Sequence, residues 1–278
     1  MSGFKRCLKR EMIDTLLDIN TYEGRIFKTI LYPDIMTGKI FMAIRVNKID
    51  FYVGGNRLME YSGECFKANP RIFGKSEKSR MIDIRNVFEP DWESKFASLV
   101  KACYAYSSNG KEQGERKIMQ SYFPVFDNKE AKVIVLDREV RINDGNGRKC
   151  DWLLFDIESG LLKFVEVKTS DNKEIKPHKD GTFDVIEQLN GYSRQYEANK
   201  ETITEQYKVY VDSVNELLGL DLPKPDGMFD TKAGLAIFGD RDEIHPDLIE
   251  MQKPFIGEYK PALTSSLEDI WKHFATTN

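Results

Sequence analysis

Residues 150–170, CDWLLFDIESGLLKFVEVKTS, limit the possible folds more than any other part of the chain. Two apolar runs flank IESG, whose composition is that of a tight turn, so the segment predicts two adjacent antiparallel strands. Side chains alternate between faces along a strand. Glu166 and Lys168 therefore project to one face, while Val165 and Val167 project to the other, towards the core. A charged pair in an apolar strand is costly unless a function uses it.

Asp151 opens the first of these strands, and the short turn predicts that it lies beside Glu166. Two carboxylates and a backbone carbonyl, here that of Val167, are the oxygen ligands that hold Mg²⁺ together with waters. Such an ion supplies a water nucleophile, which the ammonium of Lys168 can orient. The alternative is that Glu166 and Lys168 form a cross-strand salt bridge on a solvated sheet face.

An acid, a β-turn and then acid-x-Lys, here Asp151 and Glu166-Val167-Lys168, resemble the PD-(D/E)XK nuclease superfamily. This superfamily includes many restriction enzymes and repair exonucleases. The proline often found before the first acid is replaced by Cys150. Downstream, QLNGY is similar to the QxxxY element of the RecB-like branch. Its Gln188 and Tyr192 lie four residues apart, so they share a helix face, and both are expected to point towards the metal centre.

The resemblance covers roughly residues 92–240 and implies a nuclease that uses Mg²⁺, with Mn²⁺ able to substitute. It adds Glu115, within GERKIMQSYF, at the place where these enzymes often supply a further acid, with Glu112 as the alternative. Glu115 is equally well explained as an N-terminal helix acid favoured by the helix dipole. The implied catalytic set is Asp151, Glu166, Lys168, Glu115, Gln188 and Tyr192, and the implied metal ligands are Asp151, Glu166 and Val167.

Two motifs that the sequence lacks lead to one expectation about cofactors and one about partners. Some RecB-like nucleases carry an iron–sulfur cluster held by one upstream and several C-terminal cysteines. No cysteine follows Cys150, so we expect no iron–sulfur cluster. No GxxxxGK[ST] motif occurs either, so an ATPase or helicase would be a separate partner.

The order of periodic segments after Trp92 is helix, strand, strand, strand, helix, strand. This order predicts an α/β (α+β) protein with a restriction-endonuclease-like core, in which helices flank a mixed central sheet. Residues 1–90 are predicted to form a separate β-rich domain and residues 91–278 the nuclease-like domain. Within the first of these domains, residues 39–65 are predicted to form antiparallel strands, and residues 67–90 a loop-rich connection to the second domain. A capping box of Ser265 and Glu268 is predicted to begin the last helix.

The net charge of −4 conceals an asymmetry, because residues 1–90 carry 16 Lys/Arg against 11 Asp/Glu, or +5, and the remainder carries −9. A basic front end fits a nucleic-acid grip, although ordinary surface variation and a domain that only packs and sets dimer geometry also fit. Candidate phosphate contacts lie in two loops, with a merely solvated loop as the alternative for the second. They are Lys75, Lys78 and Arg80 in the first loop and Lys173, Lys176 and Lys179 in the second.

Composition narrows the cellular setting. No apolar run reaches the roughly 18–20 residues that span a membrane. The N-terminus lacks the apolar stretch of a secretory signal. The four cysteines are far apart, which indicates reduced thiols and a cytoplasmic protein. The sequence therefore predicts a cytoplasmic nuclease acting on DNA, in antiviral defence or DNA processing. A non-cleaving nucleic-acid or protein-binding module, an RNA-cleaving nuclease and a homodimeric assembly all remain open.

Overall fold

A computed structural model describes residues 4–73, 81–85, 92–107, 113–128, 130–142, 149–176, 178–180, 182–238, 261–263 and 266–277. The chain divides into two compact units. We call Lys5–Lys129 with Val209–Leu222 the N-terminal unit, and Met1–Phe4, Glu130–Lys208 and Pro223–Asn278 the C-terminal unit. The sequence placed the boundary at residue 90 instead. The difference arises because described residues between 92 and 128 pack with the N-terminal sheet, as the Phe41 and Phe123 rings show with centroids 5.4 Å apart.

Short helices and an antiparallel sheet build the N-terminal unit. The helices are α1 (Arg10–Leu17), α2 (Tyr22–Ile26), a π-helical turn (Phe27–Leu31) and α3 (Tyr32–Met36). The five strands lie in sequence order and are β1 (Phe41–Arg45), β2 (Lys48–Val53), β3 (Asn56–Tyr61), β4 (Phe66–Ala68) and β5 (Ile82–Asp83). The antiparallel strands predicted between residues 39 and 65 are therefore present. Part of the loop-rich connection predicted at 67–90 is instead β4, a short 3-10 helix, Pro70–Phe73, and β5.

Two further helices of this unit, α4 (Trp92–Ser107) and α5 (Gln113–Ser121), follow the sheet. The buried Cys103 of α4 donates from Sγ to the Val53 carbonyl at 3.4 Å, which joins the helix to the sheet. The predicted acid Glu115 lies on α5, and its side chain is outside the described residues. The alternative acid Glu112 and the predicted contacts Lys75, Lys78 and Arg80 also lie outside the described residues.

The C-terminal unit contains a mixed sheet in the order β10-β8-β7-β6. Its antiparallel part is β6 (Val133–Val140), β7 (Cys150–Asp156) and β8 (Leu161–Thr169). Two strands run parallel to β8, namely β9 (Gly227–Met228) and β10 (Gly234–Phe238). The predicted tight turn joins β7 to β8, with Gly160 at φ 72°, a backbone conformation that glycine adopts without strain. Helices with antiparallel and mixed sheets confirm the α+β class.

One helix covers each face of this sheet. On one side is α6 (Asp184–Leu218), whose Tyr196 ring stacks on Phe164 of β8 at 4.0 Å. On the other is α7 (Leu267–Thr277), where the Phe274 ring lies so near Gly234 that a Cβ at this glycine would meet it at 2.5 Å.

The capping box predicted for the last helix is displaced by one residue. Ser266 caps α7, because its Oγ accepts a hydrogen bond from the Asp269 N–H at 3.1 Å. The predicted cap, Ser265, lies outside the described residues. Within the part of the chain that the structure describes, no helix is both long enough and apolar enough to cross a membrane.

Candidate functional site

The predicted acids meet where the pairing of β7 with β8 ends. The ladder runs only as far as Trp152 opposite Val165. One residue beyond it, Asp151 Oδ2 accepts a hydrogen bond from the Val167 N–H at 2.9 Å. The N–H and C=O groups of one strand residue face the same edge. The Val167 carbonyl therefore faces the edge on which Asp151 lies.

Glu166 and Lys168 form a buried ion pair on β8. The Lys168 Nζ lies 2.7 Å from Glu166 Oε1, and the two residues are only 7% and 2% exposed. The alternative expected from sequence, a salt bridge on a solvated sheet face, is wrong about the surroundings, because α6 covers this face. Removing the two charges from water costs several kcal/mol per ion, and their mutual attraction offsets only part of this cost. The buried pair therefore requires additional hydrogen bonds to be stable.

Helix α6 supplies additional hydrogen bonds through the predicted glutamine and tyrosine. Gln188 Nε2 donates to Glu166 Oε1 at 2.7 Å and to the Tyr192 hydroxyl at 2.8 Å. The Tyr192 hydroxyl in turn donates to the Lys149 carbonyl, two residues before Asp151. Both helix side chains are buried. This chain of hydrogen bonds links the Glu166 carboxylate on β8 to the backbone just before β7. Helix α6 therefore helps to fix the position of Glu166 relative to the start of β7, where Asp151 lies.

Burial and nearby charge perturb the half-buried Asp151. Burial raises the pKa of its carboxyl group well above the usual range, and the negative charge of Glu166 raises it further. Lys168 and the Val167 N–H act in the opposite direction without cancelling the increase. Glu139 of β6 also raises the Asp151 pKa; its backbone has the uncommon φ of 53° and its carboxylate is 2.6 Å from Lys149 Nζ. Several negative charges therefore converge here, and a cation would relieve their repulsion.

Neighbouring carboxylates raise the pKa of Lys168. Burial by itself would lower the pKa of the Lys168 ammonium, but Glu166 and Asp151 outweigh burial and raise this pKa above its ordinary value. The side chain is consequently a cation at neutral pH. A buried ammonium between carboxylates is held as a fixed positive charge at the point where β7 and β8 separate.

One residue of this cluster was missed in the sequence. Glu174 lies in a one-turn 3-10 helix, Lys173–Ile175, and its Oε2 forms an ion pair with Lys168 Nζ at 2.7 Å. Asn172 begins this turn by accepting the Glu174 N–H on its side chain at 2.8 Å. An Asn two residues before an acid is a recognisable turn signal. It does not reveal that the turn folds back onto β8, which only the tertiary structure shows.

The basic loop after β8 is exposed. Lys173, Lys176 and Lys179 all point into solvent, and His178 Nε2 lies 3.0 Å from Asp184 Oδ1. None of the three lysines has a described ion pair with Asp151 or Glu166. The structure thus brings six of the predicted site residues together and leaves these lysines on the surface. The six are Asp151, Glu166, Val167 and Lys168 on the two strands, and Gln188 and Tyr192 on α6.

Replacing Asp151 with asparagine is expected to stabilise the cation-free protein at neutral pH. Asparagine keeps an oxygen that accepts the Val167 N–H. It removes the carboxyl group, whose pKa is raised in the folded protein. A raised acid pKa means that stability is lost as pH rises from the ordinary value of 3.8 through the folded-state pKa. Chelator-treated thermal melts should show Asp151→Asn above wild type at pH 7 and equal to it below pH 3.8. A variant less stable at pH 7 would contradict this account.

No protein-family profile, curated protein or solved structure matches the chain. The candidate site therefore rests on its own geometry. Within the described ranges, no three His, Cys, Asp or Glu side chains are grouped so that they could hold a metal ion. A cation at this place would depend on two carboxylates, the Val167 carbonyl and water.

Proposed function

We propose that this protein is a magnesium-dependent nuclease that hydrolyses phosphodiester bonds in DNA, and that its C-terminal unit is a restriction-endonuclease-like core. The observation that carries the proposal is the cluster of Asp151, Glu166 and Lys168 at the point where two adjacent strands separate. The acid, turn and acid-x-Lys pattern supplies the resemblance to PD-(D/E)XK nucleases. The Gln188 hydrogen bond to Glu166 supports it, because it joins the QxxxY element to the same carboxylate.

The donor atoms suit a small hard cation. The carboxylates of Asp151 and Glu166 and the carbonyl of Val167 are all oxygen ligands, which Mg²⁺ prefers and Mn²⁺ shares. The pKa of Asp151 is raised first by burial and then by the negative charge of Glu166. A divalent ion would offset the repulsion between these two carboxylates, which supports a cation at this site. A large number of protein ligands is not required, because Mg²⁺ usually keeps several water molecules in its coordination shell.

Each side chain of the cluster has a distinct role in the proposed reaction. A bound magnesium ion would supply an activated water and neutralise charge on the phosphate. Asp151 and Glu166 would hold that ion. Lys168 would orient the attacking water and attract the phosphate, because its ammonium remains charged. Gln188 and Tyr192 would keep Glu166 and the start of β7 in position through their hydrogen bonds.

The alternative is a non-cleaving binding module on the same fold. One observation favours it: Lys168 lies between two carboxylates, so the charged cluster is partly neutralised without a cation. In that case Glu166 and Lys168 would have a structural role only. RNA is the alternative substrate, and the same experiment separates it from DNA.

The decisive experiment is incubation with plasmid, linear duplex, single-stranded DNA and RNA, with Mg²⁺, with Mn²⁺ and with chelator. We expect metal-dependent cleavage of DNA that Asp151→Asn abolishes. Glu158→Gln is the matched control, because Glu158 lies at the other end of the same hairpin in an exposed ion pair with Lys132. Metal-independent cleavage, or equal cleavage by Asp151→Asn, would argue against the proposal. Cleavage of RNA alone would revise the substrate.

Cation binding is expected to stabilise the protein by mass action. At a concentration 100-fold above Kd, a ligand that binds only the folded state adds about 2.7 kcal/mol to the free energy of unfolding. Mg²⁺ and Mn²⁺ should raise the melting temperature of the wild type and compete for one site in calorimetry. The Asp151→Asn variant should show little of either effect. Identical binding by that variant would place the cation elsewhere.

A further inference from the structure

Lys168 is held from two sides by different elements. Glu166 is its neighbour on β8, whereas Glu174 reaches it from the 3-10 turn after the strand, and each carboxylate lies 2.7 Å from Nζ. The two carboxylates differ in surroundings, since the Glu166 side chain is 2% exposed and that of Glu174 is 41% exposed. Lys168 therefore has one buried partner and one at the surface.

We infer that Glu174 is a positioning residue for Lys168, which holds the ammonium in place when Glu166 coordinates a cation. This inference rests on the proposed function. Glu166 would have to serve both the cation and Lys168, and a divalent ion attracts a carboxylate more strongly than an ammonium does. Without a second anion, the buried Lys168 would lose its main partner when the cation binds. Glu174 supplies that anion and is not itself one of the proposed ligands.

The local structure supports such a role because the Glu174 turn is itself ordered. Asn172 accepts the Glu174 N–H, and the buried Ile175 anchors the turn to the core. The adjacent Lys173 and Lys176 point outwards into solvent. Within this 3-10 turn the Glu174 carboxylate is directed towards Lys168, whereas the two flanking lysines are exposed. That arrangement places an anion beside the buried ammonium and leaves the lysines at the surface, where they can reach phosphate.

The test is a double-mutant cycle made from Glu174→Ala and Lys168→Met, measured for cleavage, Mn²⁺ affinity and unfolding. In Glu174→Ala, Lys168 has Glu166 as its remaining carboxylate partner and competes with the cation for it. We expect kcat to fall roughly 10–100-fold, the usual effect of removing a group that orients a ligand, while KM changes little. The Kd for Mn²⁺ should rise by a comparable factor. Glu174→Gln, which keeps an acceptor oxygen, should recover part of both losses.

The cycle distinguishes positioning from a general structural effect. In the Lys168→Met background, Glu174→Ala should change neither the Mn²⁺ Kd nor the residual cleavage. Equal effects in both backgrounds would overturn the inference, as would a Glu174→Ala variant with wild-type kcat and Kd. Glu158→Ala serves as the control for loss of an acid from the same unit. A wild type that neither cleaves nor binds Mn²⁺ would overturn the proposed function and this inference together, whereas an active wild type tests Glu174 alone.

Discussion

Replacing Glu166 with glutamine is expected to reduce cleavage roughly 10²–10³-fold, the loss typical of removing one preorganised electrostatic group from an active site. Replacing it with alanine is expected to destabilise the fold as well, by about 3–5 kcal/mol, because breaking a buried ion pair leaves a buried charge undercompensated. The Gln188 Nε2 would also lose the carboxylate to which it donates. Cleavage assays with Mg²⁺ and denaturant unfolding with chelator measure the two effects separately.

The two substitutions at Glu166 separate catalysis from structure. Glutamine keeps the shape of the side chain and an acceptor for Gln188, so its effect on unfolding should be smaller than that of alanine. Glu158→Gln and Glu158→Ala are the matched controls, since Glu158 is exposed at the opposite end of the hairpin. Normal cleavage by Glu166→Gln would show that the site has been assigned wrongly. A folded, inactive Glu166→Gln protein would exclude a purely structural ion pair.

The features that the sequence predicted well are local. The β7–β8 hairpin follows from alternation and turn composition within 20 or so residues, and these are the strongest short-range strand signals. The shared face of Gln188 and Tyr192 follows from helical spacing alone. In both cases the sequence pattern lies within the same short segment that forms the structure.

The features that the sequence did not predict depend on packing between distant segments. The alternation on β8 showed which residues share a face with Glu166, but it did not show that α6 would bury that face. The position of Glu174 depends on how a turn folds back onto β8. The division of the chain depends on α4 and α5 packing with the N-terminal sheet, which their helical periodicity does not specify. The predicted acid Glu115 is in the N-terminal unit, whereas Asp151 is in the C-terminal unit.

Neutralising the exposed lysines after β8 is expected to weaken DNA binding and to make it less sensitive to salt. Each phosphate contact contributes about 0.9 to the slope of log affinity against log salt. Removing three contacts would therefore reduce the loss of affinity between about 50 and 200 mM salt by roughly 40-fold. The variant changes all three lysines to glutamine, and binding is measured with Asp151→Asn also present so that DNA is not cut. The three positions are Lys173, Lys176 and Lys179.

Two parallel variants identify which surface binds DNA. One neutralises the predicted contacts in the N-terminal unit, Lys75, Lys78 and Arg80. The other is a charge-matched control that neutralises three exposed lysines elsewhere in the C-terminal unit, Lys132, Lys200 and Lys232. If the loop after β8 contacts phosphate, its variant alone should lower the salt slope. The same three lysine substitutions made without Asp151→Asn should leave the Mn²⁺ affinity at the wild-type value. If the 75–80 variant has the larger effect, the N-terminal unit holds the DNA, and equal slopes in all three variants would show that neither loop does. The loop after β8 also carries Glu174, which is ion-paired with Lys168. DNA bound by this loop would therefore have a phosphate close to Lys168, where the proposed reaction requires it.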